Sequence, residues 1–226
     1  MKMEINGINI DFLGHAGFLI RNNAGIKIAI DPYNISANVD EKVDLILITH
    51  NHYDHCSIKD ITRLAKKGCV VVVPADAQSK ITKIEDIEMQ IIENSEEFKF
   101  GNIKVEAVAA YNVNKDFHPK SEGWLGYVVK MGNVIIYHAG DSDKIPEMKK
   151  LTGYGKKENK FIALLPVSGK YVMDAEEAVE VASLINPLIA IPMHYGAGVV
   201  GSIKDAENFV ELCKEIGLRA EILKKI

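Results

Sequence analysis

The sequence predicts a mixed α/β fold, and three observations carry that expectation. Short β-branched runs broken by Gly or Asn turns fill the first 32 residues. Continuous apolar runs of strand length recur after them, as expected of strands buried on both faces. Helical periodicity with capping signatures is confined to the middle and the end of the chain. The chain has 226 residues, 47% of them hydrophobic and 26% charged, which is ordinary globular composition. One α/β core can span that length, so residues 1–226 are expected to form a single domain.

The runs 5–13 (INGINIDFL), 17–22 (GFLIRN) and 25–32 (GIKIAIDP) read as a meander. The run 44–50 (DLILITH), continuously apolar over 45–48, reads as a buried strand. Ser57 opens a helix: Ser57-x-x-Asp60 resembles a capping box, and Ile58, Ile61, Leu64 and Ala65 share one face. Gly68 is expected to end it, before the strand 69–74 (CVVVVP). From about 88 to 138 the chain reads as strands, with turns at Gly101 and Gly132-Asn133. A short helix is expected at 146–152, then a strand at 161–167. Asp174-x-x-Glu177 caps a helix to about Ile185, and Pro187 stops it. A strand at 188–194, a helix capped by Ser202-x-x-Asp205 and a closing strand at 219–223 complete the pattern. Many strands with helices at the middle and end suggest two sheets with helices outside, although periodicity alone does not give the layer order.

Lys plus Arg number 27 against 31 Asp plus Glu, a net charge of −4. That balance gives no general attraction to nucleic acid or to an anionic membrane, and residues 85–97 hold six acids and no base. Three cysteines without a C-x-x-C spacing argue against a disulfide framework and for a reducing compartment. The N-terminal residues are too polar for a signal peptide, and no apolar stretch reaches 18 residues. A cytoplasmic protein without a membrane span is expected.

The chemistry concentrates in Thr49-His50-Asn51-His52-Tyr53-Asp54-His55, where three of the seven histidines fall within six residues. The segment follows a buried strand and precedes a helix. In extended chain, residues two apart point the same way, so His50 and His52 can grip one ion. Asp54 and His55 can face a second. Imidazole with carboxylate suits zinc and related divalent metals.

This H-x-H-x-D-H segment resembles the metal-binding motif of the metallo-β-lactamase superfamily, and later segments follow in that family's order. The resemblance implies a four-layer αββα sandwich of two similar halves. It implies two divalent ions, zinc foremost and manganese or iron as alternatives. His50, His52 and a third histidine would hold the first ion; Asp54, His55 and His194 (in AIPMHYG) the second; Asp141 (in YHAGDSD) would bridge them. Asp31 (in IAIDP) would bond to the histidine loop and fix imidazole orientation. The third histidine departs from the pattern. Tyr111 and Asn112 stand where the family places it, and His118, in the following loop, is taken as the ligand instead. His15, in Leu13-Gly14-His15-Ala16-Gly17, resembles a subgroup that includes sugar-phosphate lactonases and phospholipase D-type enzymes, which places it with Asp54 among the catalytic residues. His138 reads as a residue behind the ligands or in the core rather than a ligand, Cys56 as packing, and Trp124 and Phe117 as flanks of the His118 loop. Lys170 and Tyr171 are placed at the rim of the site.

The expected function is metal-dependent hydrolysis: a metal-bound hydroxide cleaving a small-molecule lactone, ester, amide or phosphodiester. The alternatives are a non-catalytic metal-binding or interaction module and a nuclease of the same superfamily. Net charge and the lack of a basic arm count against nucleic acid as a partner. A small molecule is the expected partner, and no organic cofactor is expected.

Overall fold

The computed structural model of the protein describes residues 3–156 and 158–226. Among these residues there are thirteen strands in two sheets and four α-helices, so the mixed α/β expectation holds. The chain divides into two compact units: Met1–Glu93 with Leu223–Ile226, and Asn94–Ile222.

The first unit is a seven-stranded sheet in sequential order. Strands β1 (Met3–Ile5), β2 (Ile8–Gly14), β3 (Gly17–Arg21) and β4 (Lys27–Ile30) form the expected antiparallel meander. The run 5–13 divides into two strands because Asn6 and Gly7 both take positive φ, 49° and 77°. That is the backbone a two-residue hairpin turn needs, and it pairs Ile5 with Ile8. Strands β5 (Val43–Leu47), β6 (Ala65–Val73) and β7 (Ile87–Ile91) then add in parallel.

Helix α1 (Ile58–Leu64) starts where its cap predicts: the Asp60 N–H donates to Ser57 Oγ, and Ser57 Oγ donates to Asp60 Oδ2 at 2.7 Å. It stops at Leu64, short of Gly68, because Ala65 already pairs with Val43 and the chain enters β6. A 3-10 turn (Ala75–Ala77) and helix α2 (Gln78–Ile81) were not legible, being too short for a periodic signal. Ile61 and Leu64 of α1, with Ala77 and Ile81, join Leu19, Ala29, Ile46 and Val71 of the sheet in one apolar cluster. Burying each large side chain there contributes about 1.5–3 kcal/mol.

The second unit is a six-stranded sheet in the order β13-β12-β11-β10-β9-β8. Strands β8 (Glu97–Phe100), β9 (Ile103–Ala109), β10 (Leu125–Met131) and β11 (Val134–His138) are antiparallel. Strands β12 (Lys160–Pro166) and β13 (Ile189–Met193) follow in parallel. Helices α3 (Ala175–Ile185) and α4 (Ile203–Glu215) carry both expected capping boxes and pack on one another and on β12 and β13. Asn186, at φ 47°, closes α3 before Pro187. The helix expected at 146–152 is a 3-10 segment, Pro146–Gly153. The closing strand expected at 219–223 does not form; Ala220 makes a single parallel bridge to Ala190. Leu223–Ile226 belong to the first unit, where the Ile226 N–H donates to the Phe12 carbonyl at 3.0 Å. No helix among the described residues is long and apolar enough to cross a membrane.

Candidate metal centre

In the first unit the histidine loop follows β5 and ends at the cap of α1, and Asp31 organises it. Asp31 sits just past β4 in left-handed backbone, φ 42°. Its Oδ1 accepts the Thr49 N–H at 2.9 Å, and its Oδ2 accepts from Thr49 Oγ1 at 2.6 Å and from His55 Nδ1 at 2.7 Å. These bonds settle tautomers. A carboxylate only accepts, so His55 carries its proton on Nδ1 and presents a lone pair at Nε2. The Thr49 hydroxyl spends its one proton on Asp31 and must accept from His50 Nδ1, 2.9 Å away, which leaves a lone pair on His50 Nε2 as well. His52 Nδ1 lies 3.1 Å from that Nε2. Asp54 Oδ2 lies 3.8 Å from His55 Nε2 and 2.9 Å from His15 Nε2. His15 is fully buried, held at φ 56° between β2 and β3, with its ring edge-on to His55 and to Tyr33.

In the second unit two imidazoles converge on one carboxylate. Asp141 Oδ2 lies 3.1 Å from His194 Nε2 and 3.3 Å from His118 Nε2. His118 Nδ1 is 2.8 Å from the Tyr171 carbonyl, which can only accept, so its lone pair is on Nε2. His194 Nδ1 pairs with Ser168 Oγ at 2.8 Å. His118 and His194 both take positive φ, 55° and 64°. Asp141 follows Gly140, at φ 63°, where a Cβ would come within 2.4 Å of the Leu125 carbonyl. His138 is buried beneath that turn and accepts the Gly140 N–H at Nδ1, as a core residue should.

The departure at Tyr111 and Asn112 has a structural counterpart. The Asn112 N–H donates to the His118 carbonyl at 2.8 Å, and Asn112 Nδ2 donates to the Tyr171 carbonyl at 2.7 Å. The residues between them form a loop that leaves at Asn112 and returns at His118, which brings His118 back beside Asn112. Trp124 packs edge-on to the His118 ring at 5.2 Å, and Phe117 on Tyr171 at 4.5 Å. Lys170 lies over the Tyr171 ring. Cys56 is buried in the apolar cluster of the first unit, and burial pushes its thiol up to about 12, so it serves packing. Thr49, Ser168 and the Tyr171 carbonyl were missed as orienting groups. Thr49 and Ser168 each stand at or near a strand end within a segment already singled out.

These donor sets fit a divalent metal. Ligands about 2.1 Å from a tetrahedral ion lie roughly 3.4 Å apart. The 3.1, 3.1, 3.3 and 3.8 Å separations above bracket that value. Holding the far ring nitrogen on a protein oxygen is how a metal-ligating histidine is aimed.

A sequence profile of the β-lactamase superfamily domain matches residues 9–194. The chain belongs to the metallo-β-lactamase superfamily, and its relatives carry the family name UPF0173. A UPF0173 metal-dependent hydrolase of Pyrococcus furiosus is 35% identical over 229 residues, covering 96% of this chain and 95% of that one. One from Archaeoglobus fulgidus is 31% identical over 228 residues, covering 96% and 95%. A crystal structure from Parabacteroides distasonis, described as that of a metal-dependent hydrolase, matches with a TM-score of 0.81 at 26% identity, over 99% of this chain and 98% of that one. The expected fold class, the metallo-β-lactamase fold, therefore stands.

Proposed function

We propose that this chain is a metal-dependent hydrolase of small molecules, built as one domain and working in the cytoplasm on two divalent ions. Zinc is the foremost candidate and manganese or iron the alternatives. His50, His52 and His118 would hold one ion, Asp54, His55 and His194 the other, with Asp141 shared. That both units' residues serve one centre is part of this reading, supported by the order of the motifs along the chain. The observation that carries it is the fixed tautomers: His50, His55 and His118 each commit Nδ1 to a protein oxygen and turn an Nε2 lone pair inward.

Bound ions of this kind supply Lewis acidity, which lowers the pKa of water toward about 7 and polarises a carbonyl or phosphoryl group. The chain's own residues do the rest. Asp54 is the proton acceptor, and His15 Nε2, 2.9 Å from Asp54 Oδ2, donates to that carboxylate and holds it in place. Asp31 keeps His50 and His55 in one orientation through the reaction. The pairing of His15 with Asp54 supports a place near the lactonase and phospholipase D-type branch, and lactones, esters, amides and phosphodiesters are the bonds to test.

Elemental analysis of protein purified without added metal or chelator should find close to two zinc, manganese or iron per chain. A panel of lactones and phosphodiesters assayed with that metal should then reveal turnover. No metal, with none taken up on titration, would overturn the hydrolase reading in favour of a non-catalytic module.

A further inference from the structure

Strand β8 ends the second sheet, and among the described residues it pairs only with β9. One side of its main chain is bonded and the other is open. The register decides which residues face the open side. Phe100 pairs with Ile103 across the two-residue turn Gly101-Asn102, so these two exchange both backbone bonds. Bonded and non-bonded pairs alternate along an antiparallel ladder. Phe98 with Val105 is therefore a bonded pair, while Glu97 with Glu106 and Lys99 with Lys104 are not. The N–H and carbonyl groups of Glu97 and Lys99 point outward from the sheet edge.

A lysine on an open edge ordinarily keeps other strands away. Lys99 is poorly placed within its own sheet. It is exposed, it stands opposite Lys104, and among the described residues it has no carboxylate partner. Glu97, two residues away on the same exposed face, is bonded to Lys104 and stands opposite Glu106.

A second β8, antiparallel and centred on Phe98, resolves both like-charge positions. Glu97 of each copy would lie opposite the partner's Lys99. These are the outward-facing residues, so each such pair would exchange both backbone bonds and match opposite charges. Half-buried Phe98 would meet the partner's Phe98 in a non-bonded pair, where side chains approach most closely. The outer strands of the first sheet lack this complementarity. Strand β1 turns only Glu4 outward, which would meet its own copy, and β7 presents Glu88 and Gln90 without a cation.

We propose that β8 is a self-association edge, through which two copies of this chain join antiparallel over Glu97–Phe100 about a two-fold axis at Phe98. Such an interface uses the same patch on both copies and closes at the dimer. It is independent of the metal centre.

The test is sedimentation velocity of the full, metal-loaded chain from about 1 μM to about 1 mM. The dimer fraction should rise with concentration. Lys99→Glu turns both cross-copy pairs into like charges and should raise the dimer dissociation constant about tenfold. The same change removes a like-charge pair within the sheet, so the thermal midpoint of the monomer should not fall. The double variant Glu97→Lys with Lys99→Glu restores opposite charges in the same register and should recover the dimer. A monomer throughout the range would overturn the proposal. So would a dimer whose dissociation constant is unmoved by Lys99→Glu, since another surface would then hold it. A dimer lost in Lys99→Glu and not recovered in the folded double variant would overturn the register centred on Phe98.

Discussion

The two units place corresponding residues at corresponding points and then use them differently. Each unit is an antiparallel meander running into parallel strands. A histidine stands in the connection between the second and third strands of each meander: His15 between β2 and β3, His118 between β9 and β10. An aspartate follows the last antiparallel strand of each: Asp31 after β4, Asp141 after β11. In the first unit the aspartate grips the Nδ1 side of the histidine loop. In the second it faces Nε2 atoms. The first unit thus aims His50 and His55 through one hub. The second anchors each histidine separately, His118 on the Tyr171 carbonyl and His194 on Ser168. A contiguous histidine loop can share one orienting group; a dispersed set needs one for each member.

The largest effect should come from the proposed ligands themselves. His55→Ala in the first unit and Asp141→Ala in the second should each lower turnover more than about a hundredfold and reduce metal per chain, because loss of a ligand outweighs loss of an orienting group. If only one unit's variant loses metal, the two sets do not serve a common centre. A smaller and asymmetric effect should follow from the orienting groups. Asp31→Asn disturbs His50 and His55 together, so metal affinity should fall roughly 10–100-fold. Ser168→Ala frees only His194 and should stay near the lower end of that range. Competition with a chromophoric chelator measures both, and equal losses would break the comparison.

The smallest effect concerns only the first unit. Arg21 donates to Glu41 and holds its carboxyl down to about 2, against an ordinary value of 4.5. A depressed carboxyl stabilises the fold above its unfolded pKa, and that contribution is lost as pH falls from about 4.5 toward about 2. The pair is partly exposed, so its worth is below about 1 kcal/mol. Glu41→Gln should flatten the acid limb of the thermal midpoint measured between those pH values. An unchanged limb would mean that the pair contributes nothing to folding.

This contrast also explains what could be read from the sequence. The His50–His55 loop stands out in the sequence because its spacing is local and follows an apolar run. Asp141 and His194 are singled out only by their order along the chain, since nothing adjacent in sequence distinguishes either from a turn residue. His118 could be chosen only as the nearest histidine, because the bonds from Asn112 that place it form on folding. Thr49 and Ser168 escaped because a hydroxyl's role depends on which acceptor lies within 3 Å, which pattern does not encode. Helix starts were readable from Ser57, Asp174 and Ser202, where the cap is a local side-chain bond. The end of α1 was not, because pairing of Ala65 with Val43 overrides the glycine signal at Gly68.

The left-handed backbone at His15, Asp31, His118 and His194 has a consequence for how this chain tolerates drift. That conformation costs an ordinary residue about 1–2 kcal/mol, and glycine escapes the cost. Were these side chains idle, replacement by glycine would relax the backbone at every one of the four positions. A histidine or aspartate held there is a standing cost to the fold, and the proposed metal centre is a use for each of the four that offsets it.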